Sequence, residues 1–213
     1  MTQALLQTLP EFAFEFGIAL GTNLSLAAQA LALGLPAGLV LGVLRAPVAQ
    51  GTPARTGWRR LGAAAAGVVV TLLRAAPTFV VMYVLLQALP ARWEMSPPRA
   101  VAVALSVYAA GYVADSLLAM LADRRAGVHG GTALFLMGLA RAYFVMVLSS
   151  GFGAAIGVTE ATAVTLRALE QLPTLDDRLW LMACVVAAFA AIRHAVYAAI
   201  GVAQRMLSRR LEI

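Results

Sequence analysis

"AVALSVYAAGYVADSLLAML", residues 102–121, decides how the rest of the chain is read. Its twenty residues carry one charge, Asp115. At 1.5 Å per residue, a helix of this length crosses the ~30 Å hydrocarbon core of a bilayer. The run then passes Asp123, Arg124 and Arg125, enters the glycine-rich "AGVHGG", and returns to apolar sequence at 132. That pattern is a membrane helix ending in a short basic loop and turning back.

The whole chain agrees. Of its 213 residues 62% are hydrophobic and only 12% charged, about half the charged fraction of a soluble domain. This is the composition of an integral membrane protein. The formal charge of +6 does not point to nucleic acid, because basic residues at helix ends are how membrane proteins set their orientation. All 16 basic residues are arginine, which together with the abundant alanine reads as a GC-rich bacterial genome. A single cysteine, Cys184, inside an apolar run excludes a disulfide framework and a cysteine-rich metal site.

Five stretches are long and apolar enough to span, at roughly 16–44, 61–90, 99–122, 132–157 and 179–207, within one transmembrane domain covering 1–213. The fold class is therefore an all-α membrane protein with five transmembrane helices. Arg45, Arg55, Arg59 and Arg60 follow the first span, Arg124 and Arg125 the third, and Arg205, Arg209 and Arg210 the last. These segments are expected inside, with the N-terminus out and the C-terminus in. The N-terminal "MTQALLQTLPEFAFEF" has Glu11 and Glu15 but no basic signal-peptide region, so it is expected to be retained outside.

Residues 61–90 would reach ~45 Å as one helix, so they must bend, and Pro77 supplies the break. The segment before it is expected to lie partly along the inner surface, with Arg74 near the interface. Segment 158–178 is external, with Val164, Leu166, Leu169 and Leu172 forming one face of a short helix that ends at Pro173.

Tyr108, Tyr112 and Asp115 recur at helical spacing and give the third span a polar stripe, either along a pathway or at a subunit contact. Arg141, Arg193 and His194 also fall in or near spans, where two readings are open: they line a pathway or meet a partner subunit, or the arginines snorkel or pair with carboxylates between helices. Gly34, Gly38 and Gly42 form a small-xxx-small face for close helix packing, within the chain or with a second subunit. A Walker loop, HExxH and GxSxG are all absent, so neither an ATPase of the Walker type nor a hydrolase is expected.

The order of these features resembles the permeases of bacterial ABC importers for polar amino acids, the histidine/glutamine/arginine/opine group. "GIALGTNLSLAAQALALGLPAGLVLGVLR" is similar to that group's first core span. "LLRAAPTFVVMYVLLQALP" is similar to its arginine, two small residues and proline, with Arg74 and Pro77 in the matching places. Gly111, Tyr112, Ala114 and Asp115 stand where the group has alanine, tyrosine and, further on, glutamate. Ile156, Gly157, Val158 and Glu160 match its C-terminal third.

The resemblance implies a type I importer-like permease in the bacterial inner membrane. It would pair with a second permease chain, itself or a paralogue, around a central pathway. Separate ABC ATPase subunits would bind ATP and Mg, this chain would hold no cofactor or metal, and a periplasmic solute-binding protein would deliver the solute. One departure matters: the distance from Asp115 to Ile156 is shorter than in that group. The docking segment that carries an acidic, alanine-rich motif is replaced by "RRAGVHGGTALFLMGLARAYF". Arg124, Arg125, His129 and Gly138 are its candidate coupling residues. Three readings follow: a coupling permease subunit, a non-coupling structural or regulatory permease-like subunit paired with a second permease, and a small secondary transporter with Asp115 as its proton site. The last is disfavoured by the lack of a visible inverted repeat.

Overall fold

The computed structural model describes residues 3–46, 56–88, 90, 94–127 and 130–211, and among these there is no strand. The helices are α1 (Gln3–Arg45), α2 (Thr56–Ala75), α3 (Thr78–Gln87), α4 (Pro97–Arg125), α5 (Gly131–Ser149), α6 (Ala161–Gln171) and α7 (Leu175–Leu211). A 3-10 segment, Ser150–Ile156, extends α5.

The centre of the bundle is the α1–α4 pair, which runs parallel and is held close by glycine. A Cβ at Gly34 would lie 2.5 Å from the Ala109 Cβ, one at Gly38 2.6 Å from the Ala110 carbonyl oxygen, and one at Gly42 2.8 Å from Leu117 Cδ2. The glycine face therefore serves packing within the chain. Around this seam Leu26, Ala27, Ala30, Val101 and Leu105 form the core, joined by Met82 of α3 and by Met146 and Val147 of α5. Because α4 and α5 are antiparallel, Gly131 faces Asp123, Gly138 faces Tyr112 and Gly153 faces Val101.

Four helical stretches are long and apolar enough to cross a membrane: Gln7–Arg45, Pro97–Arg125, Gly131–Ile156 and Leu175–Ala203. The fifth candidate is the pair Gly57–Ala75 and Thr78–Gln87, bent by 90°. The break falls at Ala76 and Pro77, where the missing N–H ends one helix and Pro77, with φ −63° and ψ 121°, starts the next. Helix α3 alone has ten residues, about 15 Å or half a bilayer. The right angle means that α2 and α3 cannot both follow the bundle axis.

Two segments differ from the expected boundaries. Helix α1 starts at Gln3 rather than near 16, because Phe12 and Phe16 find a second core made by Ala161, Val164, Ala168 and Leu172 of the α6 region and by Leu181. In α6, Ala161, Val164, Thr165 and Ala168 are buried, whereas Leu166 is 51% exposed and lies off the expected face. The helix packs through its smaller residues, which allow close approach to α1. The remaining helix, α7, begins with a capping pair, Thr174 Oγ1 donating to Asp177 Oδ2 and accepting from the Asp177 N–H. Along its apolar window only 6% is buried.

Candidate functional site

The two ends of the bundle differ in charge chemistry, and each carries a polar cluster. At the end holding Arg45, Arg124 and Arg125, the basic end, Asp115 joins three helices. Its Oδ1 accepts from Arg45 Nη1 and its Oδ2 from Arg74 Nη1, each at 2.6 Å. Arg45 is the last residue of α1 and Arg74 lies in the last turn of α2, so the carboxylate ties both helix ends to α4. Arg74 also rests its aliphatic stem on Gly111, where a Cβ would come 3.0 Å from Cγ. Arg74 is 63% exposed, so its bridge is the more screened and adds about 0.2–1 kcal/mol.

Beside this triad the Tyr108 and Tyr112 rings stack with centroids 6.3 Å apart. Tyr112 continues towards α5, where its Oη would lie 3.3 Å from a Cβ on Gly138. Tyr112 and Gly138, with Ser116, Met120, Asp123 and Arg141, line a cavity of about 230 Å³ between α4 and α5. The structure thus places Gly138 within α5, against the tyrosine stripe and two turns from the α4–α5 connection. That connection is short. Gly127 at φ 72° and Gly130 at φ 110° adopt left-handed backbone that favours glycine, and Arg124 Nη2 donates to Thr132 Oγ1 at 2.9 Å across the turn. His129 lies outside the described residues.

Two further arginines lie near one ring. Arg141 of α5 and Arg193 of α7 place Cζ 5.8 and 5.5 Å from the Tyr197 centroid. Cation–π contact at exposed sites supplies ~0.5–1 kcal/mol each, less than the ~2.5–3.5 kcal/mol cost of an arginine at mid-span. His194 instead bonds locally, its Nδ1 2.8 Å from the Ala190 carbonyl oxygen.

At the opposite end, Glu160 is fully buried. It caps α6, its Oε1 accepting from the Ala163 N–H and its Oε2 from the Thr162 N–H, both at 2.9 Å. The Asn23 amide donates to Glu160 Oε2 and to Ser150 Oγ, both at 2.8 Å, while its Oδ1 accepts from the Ala161 N–H at 3.0 Å. Gly157, left-handed at φ 88°, turns the chain from the 3-10 segment towards this cap. A Cβ on Gly151 would meet Thr162 Oγ1 at 2.6 Å, so the close approach of the two segments requires glycine there.

Of the residues singled out in the sequence, Arg74, Gly111 and Asp115 come together, with Tyr108 and Tyr112 adjacent. Gly157 and Glu160 belong to the other cluster. Sequence reasoning missed Asn23 and Tyr197, and took Arg45 only as a loop charge. The signal for Asn23 was present, since it is the only asparagine of the chain and lies in an apolar span.

No protein-family model and no curated protein matches the sequence. Solved structures do match the fold. One is an amino acid ABC transporter crystallised with histidines, at a TM-score of 0.73 and 16% identity, over 97% of this chain and 100% of that one. Another is the MetNI methionine ABC transporter in inward-facing conformations, at a TM-score of 0.64 and 15% identity, over 95% and 99%. The chain therefore has the ABC-transporter permease fold over nearly its whole length, in agreement with the resemblance read from its motifs.

Proposed function

We propose that this chain is the permease subunit of an ABC importer that carries amino acids or similar polar solutes across the bacterial inner membrane. The observation that carries the reading is the fold match over 97% of the chain to a transporter described as an amino acid ABC transporter. In this reading the basic end faces the cytoplasm, with the N-terminus outside. The subunit pairs with a second permease chain, separate ATPases supply ATP hydrolysis, and a solute-binding protein delivers the solute. Alternating access then requires the bundle to exist in two arrangements whose populations the ATPases shift. The polar stripe of Tyr108, Tyr112 and Asp115 is assigned to the pathway side.

A second reading rests on the α4–α5 connection. Helix α4 ends at Arg125 and α5 begins at Gly131, which leaves no room for a separate docking helix between them. In that reading the chain is a non-coupling subunit, and its partner permease engages the ATPase. One experiment tests both. The chain is expressed with an ABC ATPase subunit, with and without a second permease, and ATP-dependent uptake of labelled amino acids into proteoliposomes is measured. ATPase capture by this chain alone, with uptake, supports the first reading. Capture and uptake only with the second permease support the second, and uptake independent of ATP refutes both.

A further inference from the structure

At the end of the bundle opposite the Asp115 triad, the first turns of α1 and the helix α6 leave two adjoining cavities between them. The first, of about 190 Å³, is lined by Glu11 and Glu15 of α1 and by Arg167 and Gln171 of α6. The buried part of its lining is apolar, made by Phe12, Val164 and Ala168. The second, of about 210 Å³, is mainly apolar and adds Ile18 and Ala19. It shares Glu15, Val164 and Arg167 with the first, so one carboxylate and one guanidinium belong to both cavities.

These charges do not neutralise one another. Glu11 and Glu15 stand one turn apart on α1, the i,i+4 spacing at which like charges repel. Arg167 is a ready partner for either, yet among the described residues no ion pair joins it to them. All three instead edge the same open volume. Two negative groups against one positive group leave the lining attractive to an ammonium even when Arg167 holds an anion. The apolar part of the wall limits the screening that water gives these groups. A ligand that satisfies the whole lining brings a carboxylate for the guanidinium fork, an ammonium for the glutamates, and an uncharged portion for the second cavity.

We infer that the α1–α6 cleft binds a zwitterionic α-amino acid with an apolar side chain. Arg167 takes its carboxylate, Glu15 takes its ammonium, and the side chain enters the cavity lined by Ile18 and Ala19. A metal ion or a simple carboxylate would satisfy only half of the charged lining, and an apolar molecule none of it. The inference rests on the amino-acid transporter reading for its place in the work of the chain, an outer station where solute arrives. Its test needs neither ATP nor a second permease, so binding and uptake can fail separately.

Binding of tritiated L-leucine is measured by scintillation proximity on the full chain in phosphatidylcholine nanodiscs. Saturable binding is expected. Two analogues compete with it: 4-methylpentanoate, which is leucine without the ammonium, and 3-methylbutylamine, which is leucine without the carboxylate. Each should compete at least about tenfold more weakly than unlabelled L-leucine, because each leaves a charge of the site unmatched. Glycine, with nothing to place in the second cavity, should also compete more weakly than leucine. Glu15→Gln and Arg167→Gln should each weaken leucine binding about tenfold, and Arg167→Lys, which keeps the charge but not the fork, should weaken it less. Both side chains are exposed, so these variants are expected to fold, and the competition series on the parent carries the test if one does not. The inference is overturned by an absence of saturable leucine binding, by variants that bind like the parent, or by analogues that compete as well as leucine. Leucine binding without any ATP-dependent uptake would count against the proposed function and leave the site standing.

Discussion

Asn23 of α1 donates to Glu160 Oε2 at 2.8 Å, joining residues 137 positions apart at the end of the bundle opposite the arginines. The same carboxylate caps α6 through both oxygens, so every acceptor in the pair faces a donor. Glu160→Gln should therefore be costly despite its similar size, because one of the two acceptors becomes an NH2 facing N–H groups. A loss of about 1–3 kcal/mol is expected from the stranded donors. Thermal unfolding in detergent measures it, and a melt identical to the parent's would mean that the cap is dispensable.

The glycine seam gives a second expectation. In Gly38→Ala the added methyl would sit 2.6 Å from a backbone oxygen and from Val113 Cβ, neither of which can rotate away. The α1 and α4 axes must separate, at about 1–3 kcal/mol. Gly67→Ala on α2 meets nothing within 4 Å and should be neutral or stabilising, by up to ~1 kcal/mol. Equal melting temperatures for the two variants would contradict the assignment of the seam to packing within the chain.

These glycines show what was legible in the sequence and what was not. A four-residue small-residue period states that something packs closely, because only backbone approach makes use of a missing side chain. It does not name the partner helix. Pro77 was legible for a similar reason, since the loss of a backbone donor breaks a helix whatever surrounds it. Asp115 was legible as a lone charge in an apolar run, whereas its attachment to Arg45 depends on where α1 ends relative to α4. Helix α1 was read as starting too late because residues 3–15 are held by Phe12 and Phe16 packing on the α6 region, a contact between segments well over a hundred positions apart. The Arg141–Tyr197–Arg193 cluster escaped notice because its members come from two helices with no shared period.

At the basic end, Asp115→Asn should loosen α2. The substitution removes the charge that pairs with Arg74, 63% exposed, and with Arg45, 25% exposed, and the end of α2 then has the packing of Arg74 on Gly111 and the buried faces of Ala66 and Val70. Amide hydrogen exchange over residues 67–76 is expected to accelerate by up to about fivefold, the equivalent of ~1 kcal/mol, with Asp115→Glu recovering part of the protection. Unchanged exchange in the Asn variant would show that apolar packing alone fixes the end of α2.

The turn between α4 and α5 supplies the last expectation. Gly130 stands at φ 110° and ψ −9° as the residue before α5, and Gly127 at φ 72° closes α4. A side chain at Gly130 meets no neighbouring atom, so the penalty of Gly130→Ala is one of backbone conformation alone, about 1–2 kcal/mol. The strain is confined to the connection, and the variant should fray the first turn of α5, weakening the Arg124–Thr132 hydrogen bond that spans it. Faster amide exchange over residues 131–135, with the α1–α4 core unaltered, is the expected result. Protection equal to the parent's would mean that the turn can exchange its left-handed geometry for another without cost.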